Sequence, residues 1–346
     1  MKSDISGKQF VSVLLVTRNE QDYIEKALMS LVNQTYPKDQ YEIIIIDGES
    51  TDDTLKIISH IIEQYKTETF DIRIINNSKQ ILASGWNLGI KAARGDYVVR
   101  IDAHAEAAMD FIEKNIETMQ RVTDAVCVGG KIITKSLKDG DESVSKVLSS
   151  AFGVGNSPFR VSDEAGYADT AVYGLYKKDI FKKVGYFNEQ FVRNQDIELH
   201  SRIKAVGGKF YFNPQICCVY YTRNTVGKMI KQALGNGKWN MVLLKQQGSA
   251  LSLRHLVPFA FVLFLIGSTI CGFFYAYIWL FESMVLLLYV VLGIVASIRK
   301  TSKVFEVIKM VCLFFLLHIS YGVGYLKGIF TSVAMPKWEE RGNESL

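Results

Sequence analysis

The first hundred residues repeat one pattern, in which a short apolar, β-branched run is followed by a polar turn and then by apolar residues spaced three or four apart. The runs are typical of buried strands, and the spaced segments are typical of amphipathic helices. Their alternation indicates a parallel sheet with helices on both faces, so the predicted fold is α/β and Rossmann-like. Strands are predicted over 11–17, 41–47, 72–76 and 97–102. A polar turn followed by a helix is predicted within 18–34 and within 48–65, and a helix is predicted over about 82–93.

Polar side chains follow each of the four predicted strands. Ligands of such sheets lie beyond the carboxyl ends of the strands, so these side chains are expected at one edge. Four coincident polar ends favour one shared site over four separate solvated turns. Helix capping is the alternative explanation for Asn19 and Ser50. The polar ends occupy 17–20, 47–52, 76–79 and 102–104.

The fourth predicted strand ends on Asp102, and His104 follows two residues later. Because side chains alternate between the faces of a strand, both point to the same side, which suits a metal or phosphate site as well as a solvated strand end. The glycine fingerprint of dinucleotide-binding proteins is missing after the first strand, where the sequence reads VTRNEQ. Neither GGK triplet reads as a P-loop, because an apolar residue follows each. The sequence therefore disfavours dinucleotide and P-loop chemistry.

The chain changes character over 256–330, where long apolar runs with few charges replace the alternating pattern. Runs of this length predict helices that cross a membrane core of about 30 Å. Basic residues lie between the second and third runs, and the positive-inside rule places them on the cytoplasmic side with the N-terminal domain. We predict a cytoplasmic domain over 1–250 and a membrane region over 251–346, with its C-terminus outside. Spans are predicted over 256–280, 281–298 and 308–328, and the basic residues are Arg299, Lys300 and Lys303.

The third apolar run has features with more than one interpretation. An interfacial or re-entrant run is the alternative to a third crossing, and the preceding VFEVIK is amphipathic enough to lie along the membrane surface. His318, near Gly322 and Gly324, is interpreted as a hydrogen-bonding group between close-packed helices rather than as a functional polar group. The segment 135–170 shows no decisive pattern, and its GVGNSP stretch is interpreted as a loop.

The composition restricts the cellular compartment and the binding partners that we expect for this protein. Hydrophobic residues make up 49% of the 346 residues, which is high for a wholly soluble enzyme. The net charge of +5 is modest and the basic residues are dispersed among acids, so nucleic-acid binding is not expected. The five cysteines form neither a disulfide framework nor a zinc spacing. The polar start MKSDISGKQF does not read as a signal peptide, so we expect the soluble domain to stay in the cytosol.

Five motifs follow one another in the order that is usual for glycosyltransferase family 2, and the chain therefore resembles that family. Its members share the GT-A fold and use a nucleotide-diphosphate sugar. The resemblance covers nearly the whole chain. Within the family, the stretches IDAHA, RNQDIEL and HISYGVGYLKG are most similar to a membrane-anchored bacterial branch, that of the succinoglycan-biosynthesis glucosyltransferases. The five motifs are VSVLLVTRNEQDYIEKALMSLVNQTYP, EIIIIDGESTDDT, ASGWNLGIKAARGDYVVRIDAHA, DTAVYGLYKKDIFKKVGYFNEQFVRNQDIELHSRIKAVGGK and KQALGNGKWN.

The resemblance implies that Asp102 reaches the diphosphate through a divalent metal, Mn²⁺ or Mg²⁺, although His104 stands where the family's usual pattern has a second aspartate. His104 as a metal ligand, as a hydrogen-bonding partner of a phosphate, or as a structural residue all stay open. Asp196 matches the carboxylate that deprotonates the acceptor hydroxyl, and charging a helix N-terminus is its alternative role. The other implied nucleotide-sugar residues are Thr17, Asn19, Glu20, Asp47, Lys79, Asn87, Gln232 and Trp239.

The implied function is that of a membrane-anchored, inverting glycosyltransferase acting in exopolysaccharide or cell-surface glycan synthesis. It would move a hexose from a nucleotide-diphosphate sugar, with UDP favoured by the family, to a lipid-linked saccharide. The protein would be a multi-pass protein of the cell (inner) membrane, with polysaccharide-assembly proteins as further partners. A sugar transferase acting on polyprenyl phosphate itself and a catalytically silent nucleotide-sugar-binding membrane scaffold are the alternatives. For KQALGNGKWN, an amphipathic helix near the membrane interface is the alternative.

Overall fold

The computed structural model describes residues 9–136, 141–155, 157–222, 225–246 and 251–331. The strands within these residues are β1 (Val11–Thr17), β2 (Tyr41–Asp47), β3 (Ile72–Asn76), β4 (Tyr97–Asp102), β5 (Ala105–Ala107), β6 (Ala125–Ser136), β7 (Gly166–Ala168), β8 (Leu175–Lys177) and β9 (Lys209–Thr222). The helices are α1 (Ile24–Val32), α2 (Thr54–Tyr65), α3 (Leu82–Ala92), α4 (Phe111–Arg121), α5 (Glu142–Leu148), α6 (Ala151–Val154), α7 (Pro158–Val161), α8 (Ile180–Val184), α9 (Gln195–Ala205), α10 (Val226–Gln246), α11 (Leu253–Gly272), α12 (Tyr277–Ile298) and α13 (Val304–Ile329).

The strands form one mixed sheet in the order β3-β2-β1-β4-β8-β6-β9-β5, with β7 also paired to β9. The first four of these are parallel, and Val11 lies opposite both Tyr41 and Tyr97. The pairs β4 with β8, β6 with β8, and β5 with β9 are antiparallel. The four predicted strands are confirmed with their predicted bounds, and with them the α/β, Rossmann-like fold. The shared parallel direction brings their carboxyl ends to one edge of the sheet.

The first two helices begin at Ile24 and Thr54, after the predicted polar turns. Residues 18–23 and 48–53 form the loops before these helices, and their sequences RNEQDY and GESTDD are polar. Helix capping is the wrong explanation for Asn19 and Ser50, since the residues that precede the helices are Tyr23 and Asp53. The two polar side chains instead join one loop to the other, as described below.

Helix α3 packs very closely on the sheet because it carries glycine at two positions one turn apart. A Cβ atom at Gly89 would lie 2.9 Å from Ile46 Cδ1 and from Leu14 Cδ2. A Cβ atom at Gly85 would lie 2.9 Å from Val16 Cγ1. Side chains at either position would push the helix away from β1 and β2, so the GWNLG stretch of the sequence is fitted to this contact.

Glu42 on β2 is a fully buried carboxylate held by several donors. It accepts hydrogen bonds from Ser12 Oγ at 2.6 Å, from the Arg94 backbone N at 2.8 Å and from Arg94 Nε at 2.9 Å, and it pairs with Arg73. Burial alone would raise the pKa of Glu42, but the hydrogen bonds from Arg73, Ser12 and Arg94 outweigh it and hold the pKa below its usual range. The carboxylate is therefore ionised in the folded state at neutral pH.

Glu42→Gln is expected to lower the stability of the folded domain by about 3 kcal/mol, because one partner of a buried ion pair is lost while the other stays. The pKa of Glu42 is depressed by folding, so its contribution is present above the unfolded pKa of about 4.3 and disappears at lower pH. The difference in thermal unfolding midpoint between wild type and variant, measured in detergent, should therefore stay nearly constant between pH 7 and about pH 5 and narrow as the pH is lowered below about 4.3. The exposed Glu63 provides the control variant Glu63→Gln. Equal midpoints for all three proteins at pH 7 would contradict this role.

The contacts of the chain group it into two compact units. One unit contains the described residues of 9–133 and 163–220, and the other contains those of 134–162 and 221–331. The division into a cytoplasmic domain 1–250 and a membrane region 251–346 stays a prediction about topology. In the first unit, apolar side chains of the sheet, α3, α8 and α9 form one core beneath the carboxyl ends of the strands.

Three helices of the described chain, α11, α12 and α13, are long and apolar enough to cross a membrane. The first predicted span, 256–280, is wrong in its bounds, because the chain turns after Gly272 although residues 273–276 are as apolar as their neighbours. The second helix begins at Tyr277 rather than at 281, and the third covers 304–329, so VFEVIK forms its first turns. Within this unit, Lys146 pairs with Glu306, and Lys309 lies 2.8 Å from Asp141.

Helices α10 and α13 approach each other through glycine residues. A Cβ atom at Gly237 would lie 2.0 Å from the backbone O of Tyr321, and one at Gly324 would lie 2.4 Å from the backbone O of Leu234. His318 Nδ1 lies 2.8 Å from the Tyr289 hydroxyl on α12, which confirms its interpretation as a hydrogen-bonding group between helices. The loop interpretation of GVGNSP holds for Gly155 and Ser157 but is wrong for the other described residues, because 153 and 154 end α6 and Pro158 begins α7; position 156 lies outside the described residues.

Candidate active site

The loops after β1 and β2 are joined by reciprocal hydrogen bonds. The Thr51 backbone N donates to Asn19 Oδ1 at 2.8 Å, and the Asn19 backbone N donates to Ser50 Oγ at 2.9 Å. The Glu20 backbone N donates to Thr54 Oγ1 at 2.8 Å. These contacts fix the two polar strand ends against each other and hold the loops that precede α1 and α2.

A cavity of about 350 Å³ opens beyond the carboxyl ends of β1 and β4. Thr17 and Asn77 line it, and both side chains are almost completely buried. Thr17 Oγ1 and Asn77 Oδ1 have no hydrogen-bond partner among the described residues. Buried polar atoms normally have a partner, so these two atoms are suited to a polar ligand. The cavity wall also contains Arg18, Glu20, Asp102, His104 and Tyr220.

Asp102 and His104 lie on this cavity wall and are each held by one further side chain. The Tyr173 hydroxyl donates to Asp102 Oδ2 at 2.8 Å, and His104 Nδ1 lies 3.1 Å from Glu20 Oε1. Burial would lower the pKa of His104, but the hydrogen bond to Glu20 and the negative charges of Asp102 and Glu20 outweigh it and raise the pKa. A carboxylate and an imidazole, both oriented, therefore face one cavity.

These residues fit a divalent cation that is shared with a bound anion. When Nδ1 of His104 carries the proton donated to Glu20, Nε2 keeps its lone pair, which is the arrangement of histidines that bind metals. Asp102 retains one carboxylate oxygen beyond the contact with Tyr173. No group of three His, Cys, Asp or Glu side chains able to hold a metal occurs in the part of the chain that the structure describes. The remaining ligands would therefore come from the phosphates of the bound molecule and from water.

Asp196 lies in the first turn of α9, as predicted, and faces a buried cation that the sequence analysis missed. Arg100 Nη2 lies 3.6 Å from Asp196 Oδ2. The guanidinium carbon of Arg100 lies 4.1 Å from the centre of the Trp86 ring and 5.5 Å from that of Phe187. Arg100 is 8% exposed, so its charge is held between two aromatic rings and one carboxylate. Its position in the apolar run YVVRID, two residues before Asp102, is the signal that could have found it.

The other predicted residues of the first unit take two different places. Asp47 is buried and accepts hydrogen bonds from the Ser50 hydroxyl at 2.6 Å and from the Ser50 backbone N at 2.9 Å. It is not among the described residues that line the cavity. Lys79 Nζ and Asn87 Nδ2 both contact Glu189, at 2.7 Å and 3.1 Å. Asp47 thus shapes the loop after β2, and Lys79 and Asn87 form a separate polar cluster around Glu189.

Gln232 and Trp239 lie on α10 in the second unit. Gln232 is exposed and Trp239 is half-buried. Asn240, next to Trp239, is buried and donates to the Tyr321 hydroxyl at 2.7 Å. The helix thereby packs along α13, and the alternative of an amphipathic helix near the membrane interface stays a prediction. A role in nucleotide-sugar binding stays a prediction for both residues.

Backbone strain occurs around the same strand ends. Tyr173 has φ +47° and Asn194 has φ +59°, in the left-handed region that residues other than glycine rarely adopt. Tyr173 is the donor to Asp102, and Asn194 precedes α9 and Asp196. Strained backbone of this kind persists where surrounding contacts enforce it and is common at functional sites. The other described non-glycine residues with positive φ are Asn19, Glu49 and Gln80, in the loops after β1, β2 and β3.

Comparisons with known proteins show the family of this chain. A model of glycosyl transferase family 2 matches residues 12–185. The "Dolichyl N-acetyl-alpha-D-glucosaminyl phosphate 3-beta-D-2,3-diacetamido-2,3-dideoxy-beta-D-glucuronosyltransferase" of Methanococcus voltae is 33% identical over 327 residues, which cover 92% of this chain and 97% of that protein. The succinoglycan biosynthesis protein ExoA of Rhizobium meliloti is 26% identical over 267 residues, covering 75% of this chain and 78% of that protein.

Among solved structures, the mannosyltransferase PcManGT from Pyrobaculum calidifontis, in complex with GDP-Man and Mn²⁺, is similar in fold. Its TM-score is 0.62 at 18% sequence identity, over 93% of this chain and 88% of that chain. At this identity the likeness shows the fold alone, and it confirms the GT-A architecture expected from the sequence. With the family match and a relative that is 33% identical along almost its whole length, the chain belongs to glycosyl transferase family 2.

Proposed function

We propose that this protein is a membrane-anchored, inverting glycosyltransferase that moves a hexose from a nucleotide-diphosphate donor, UDP-hexose, to a lipid-linked saccharide. The observation that carries the proposal is the placing of Asp102 and His104 on one cavity wall, with Asp196 joined to the same strand through Arg100. Two relatives support the class of substrate. The Methanococcus voltae protein is named for a dolichyl-phosphate-linked sugar, and the Rhizobium meliloti protein is named for succinoglycan biosynthesis.

The donor nucleotide would occupy the cavity beyond β1 and β4. Thr17 and Asn77 offer the base or ribose buried oxygen atoms that have no partner within the described structure, and Asn77 is an addition to the predicted set. Glu20 acts mainly through His104, to which it is hydrogen-bonded. The remaining roles belong to the same proposal. They are those of Asn19 and Asp47 near the base and ribose, of Lys79 and Asn87 near the nucleotide, and of Gln232 and Trp239 in nucleotide-sugar binding.

Asp102 and His104 would hold a divalent cation, Mn²⁺ or Mg²⁺. When bound, such a cation stabilises the negative charge that develops on a departing nucleotide diphosphate. Tyr173 and Glu20 keep the two side chains in place, so that the carboxylate and the imidazole need no reorientation. This arrangement lowers the cost of ordering the site when the donor arrives.

Asp196 is the general base of the proposed reaction. It takes the proton of the acceptor hydroxyl, whose oxygen forms a bond to the anomeric carbon from the face opposite the donor phosphate. The bond between the anomeric carbon and the phosphate oxygen breaks, and the nucleotide diphosphate leaves with the electron pair. Arg100 acts as a positioning residue, because its buried guanidinium forms an ion pair with the Asp196 carboxylate.

The apolar helices would place this reaction at a membrane. Helices α11, α12 and α13 would anchor the protein in the cell (inner) membrane, and the basic residues between α12 and α13 favour a cytoplasmic position for that loop and for the catalytic unit. Nucleotide sugars are water-soluble, whereas a lipid-linked acceptor stays in the bilayer. An enzyme that joins the two must therefore work at the membrane surface.

The donor is best tested with purified protein in detergent. Release of nucleotide is measured with a panel of UDP-, GDP- and dTDP-sugars in the presence of Mn²⁺, Mg²⁺ or EDTA. We expect one UDP-hexose to be consumed at least tenfold faster than the others, with no release in EDTA. Nucleotide binding without any turnover, even after addition of membrane lipids, would favour the catalytically silent scaffold instead.

The metal preference of His104 variants distinguishes between the three open roles of this residue. For a metal ligand, His104→Ala should weaken Mn²⁺ binding in the presence of UDP by about 10- to 100-fold, and His104→Asp should shift the preferred metal from Mn²⁺ towards Mg²⁺, which binds oxygen ligands better. Electron paramagnetic resonance measures the binding of Mn²⁺ directly. The effect on catalysis is measured as kcat/KM with Mn²⁺ and with Mg²⁺. A His104→Asp variant with unchanged activity and unchanged metal preference would exclude the ligand role.

A further inference from the structure

Helices α11 and α12 form an antiparallel hairpin within the second unit. Phe261 stacks on Tyr289 with ring centres 5.1 Å apart, and nearer the turn the Thr269 hydroxyl donates to Glu282 Oε1 at 3.0 Å. The start of α11 and the end of α12 therefore lie together, at the base of the hairpin, and residues 273–276 form its tip. The two helices have 20 and 22 residues, so each is long enough to cross a membrane core.

The last turns of α13 lie at the base of this hairpin. The Tyr325 hydroxyl donates to the backbone O of His255, in the first turn of α11, at 2.9 Å. A Cβ atom at Gly322 would lie 2.5 Å from the backbone O of Pro258. In a bundle of three crossings, α11 and α13 would run in the same direction, and Tyr325 would lie beside Gly272 at the tip. The rise from His255 to Gly272 is about 26 Å, since each helical residue adds about 1.5 Å.

The first half of α13 also meets the hairpin near its base. A Cβ atom at Gly293, in the second half of α12, would lie 3.5 Å from Val311 Cγ2. Val311 and Tyr325 are about 21 Å apart along α13, at a rise of about 1.5 Å per residue. Because both positions lie near the base of the hairpin, α13 runs across the base and not along the hairpin towards its tip.

Helix α10 accompanies α13 over most of its length. Met229, near the start of α10, belongs to one apolar cluster with Leu313, and Lys245, near its end, lies 3.1 Å from the backbone O of Gly328. Lys231 lies between these two levels and is exposed. If α13 crossed a bilayer, α10 would have to enter the hydrocarbon beside it and take this charged side chain along, which is strongly unfavourable.

The side of α13 that faces away from α10 is apolar. Phe305 is 81% exposed, Ile308 58% and Phe315 38%. Arg299 and Lys300, at the base of the hairpin, are exposed as well. An apolar outer face beside cations, with polar groups on the opposite side, is typical of helices at the boundary between lipid head groups and acyl chains. The hairpin enters the bilayer from the same place, so this boundary is the partner that the face fits.

We propose that α13 lies in the plane of the membrane surface, across the base of the α11–α12 hairpin, with Phe305, Ile308 and Phe315 among lipid acyl chains. The chain then crosses the membrane twice, in place of the three predicted crossings. Thr331, which follows α13, lies on the same side of the membrane as the loop 299–303. The proposal goes beyond the proposed function, because it concerns the path of the chain and not the reaction.

The path is tested by labelling added cysteines with a membrane-impermeant maleimide, in sealed and in permeabilised spheroplasts. The variants are Tyr275→Cys at the tip, Ser302→Cys between α12 and α13, and Thr331→Cys after α13, each in a chain that carries Cys271→Ala and Cys312→Ala. The chain without an added cysteine gives the background. We expect Thr331→Cys to match Ser302→Cys within twofold in sealed spheroplasts, and Tyr275→Cys to differ from both by at least tenfold.

Two labelling results would overturn the proposal. Thr331→Cys that labels like Tyr275→Cys and unlike Ser302→Cys would show that α13 crosses, and equal labelling of all three would show that the hairpin does not cross. The full-length chain with a different epitope tag at each end needs no substitution. Both tags should bind antibody under the same condition, sealed or permeabilised, and tags on opposite sides would contradict two crossings.

The partner of the apolar face is tested with the photoreactive amino acid p-benzoyl-phenylalanine in place of Phe305, and in place of Lys231 as the control. After irradiation of membranes, we expect lipid adducts at position 305 to exceed those at position 231 at least fivefold. A cross-linked pair of chains as the main product at position 305 would assign this face to a second copy and overturn its assignment to lipid. Neither experiment requires sugar transfer, so both test the proposal independently of the enzymatic function.

Discussion

Asp196→Asn is expected to reduce sugar transfer by about 10³-fold while leaving the dissociation constant of the donor nucleotide within twofold. An asparagine keeps the size of the side chain and can still lie beside Arg100, but it cannot accept the proton of the acceptor hydroxyl. The half-exposed position of Asp196 in the first turn of α9 leaves the carboxylate accessible to an acceptor. The loss should therefore appear in kcat and not in donor binding.

Transfer is measured from the amount of glycosylated lipid, and donor binding is measured by isothermal titration calorimetry with UDP and Mn²⁺. Asp179→Asn serves as the control, because Asp179 is an exposed carboxylate just before α8 whose pair with Lys182 lies on the surface. It should keep wild-type turnover. Turnover by Asp196→Asn within tenfold of the wild type would remove Asp196 from the role of general base and leave its alternative role, charging the start of a helix.

Arg100→Met is expected to lower kcat by about 10²-fold with the KM of the donor changed by less than threefold. Methionine fills part of the space beside Trp86, but it removes the positive charge that lies 3.6 Å from Asp196. Truncating one partner of a buried charge pair costs about 2–5 kcal/mol, and the lower end applies because Asp196 is partly exposed. A carboxylate without its partner is free to turn away from the acceptor.

Arg100→Lys separates a positioning role from a purely structural one. A lysine restores the charge but not the planar stacking on Trp86, so we expect kcat to recover by about tenfold relative to Arg100→Met. The thermal unfolding midpoints of the two variants should differ much less than their kcat values. If both variants lose stability and activity in parallel, Arg100 supports the fold only, and the proposal of a positioning role fails.

The strands could be predicted because a continuous run of apolar residues indicates a buried strand. β2 is buried along its whole length, and its sequence YEIIIID shows this directly. The polar residues at the strand ends were equally predictable, since the parallel order of β3, β2, β1 and β4 brings them to one edge. Asp196 at the start of α9 belongs to the same class, because a polar turn before an apolar-spaced segment marks a helix N-terminus.

The remaining features depend on contacts between residues distant in sequence. Tyr173 reaches Asp102 across 71 positions, and Arg100 meets Asp196 only after β4 and α9 are packed together. The turn after Gly272 is invisible to hydropathy, because the residues that form it are themselves apolar. Asn77 stood within a polar stretch that was singled out, but only its burial shows that its side-chain oxygen lacks a partner within the described structure.

The central claim, transfer of a sugar to a lipid-linked saccharide, is tested most directly by the mass of the lipid product. Purified enzyme is incubated with its UDP-sugar, Mn²⁺ and a polyprenyl-phosphate-linked N-acetylglucosamine, and the extracted lipid is analysed by mass spectrometry. We expect the mass of the extracted lipid to increase by one sugar residue with the wild type and to stay unchanged with Asp196→Asn. Consumption of the donor with an unchanged acceptor mass, or transfer to unglycosylated polyprenyl phosphate in preference, would contradict it.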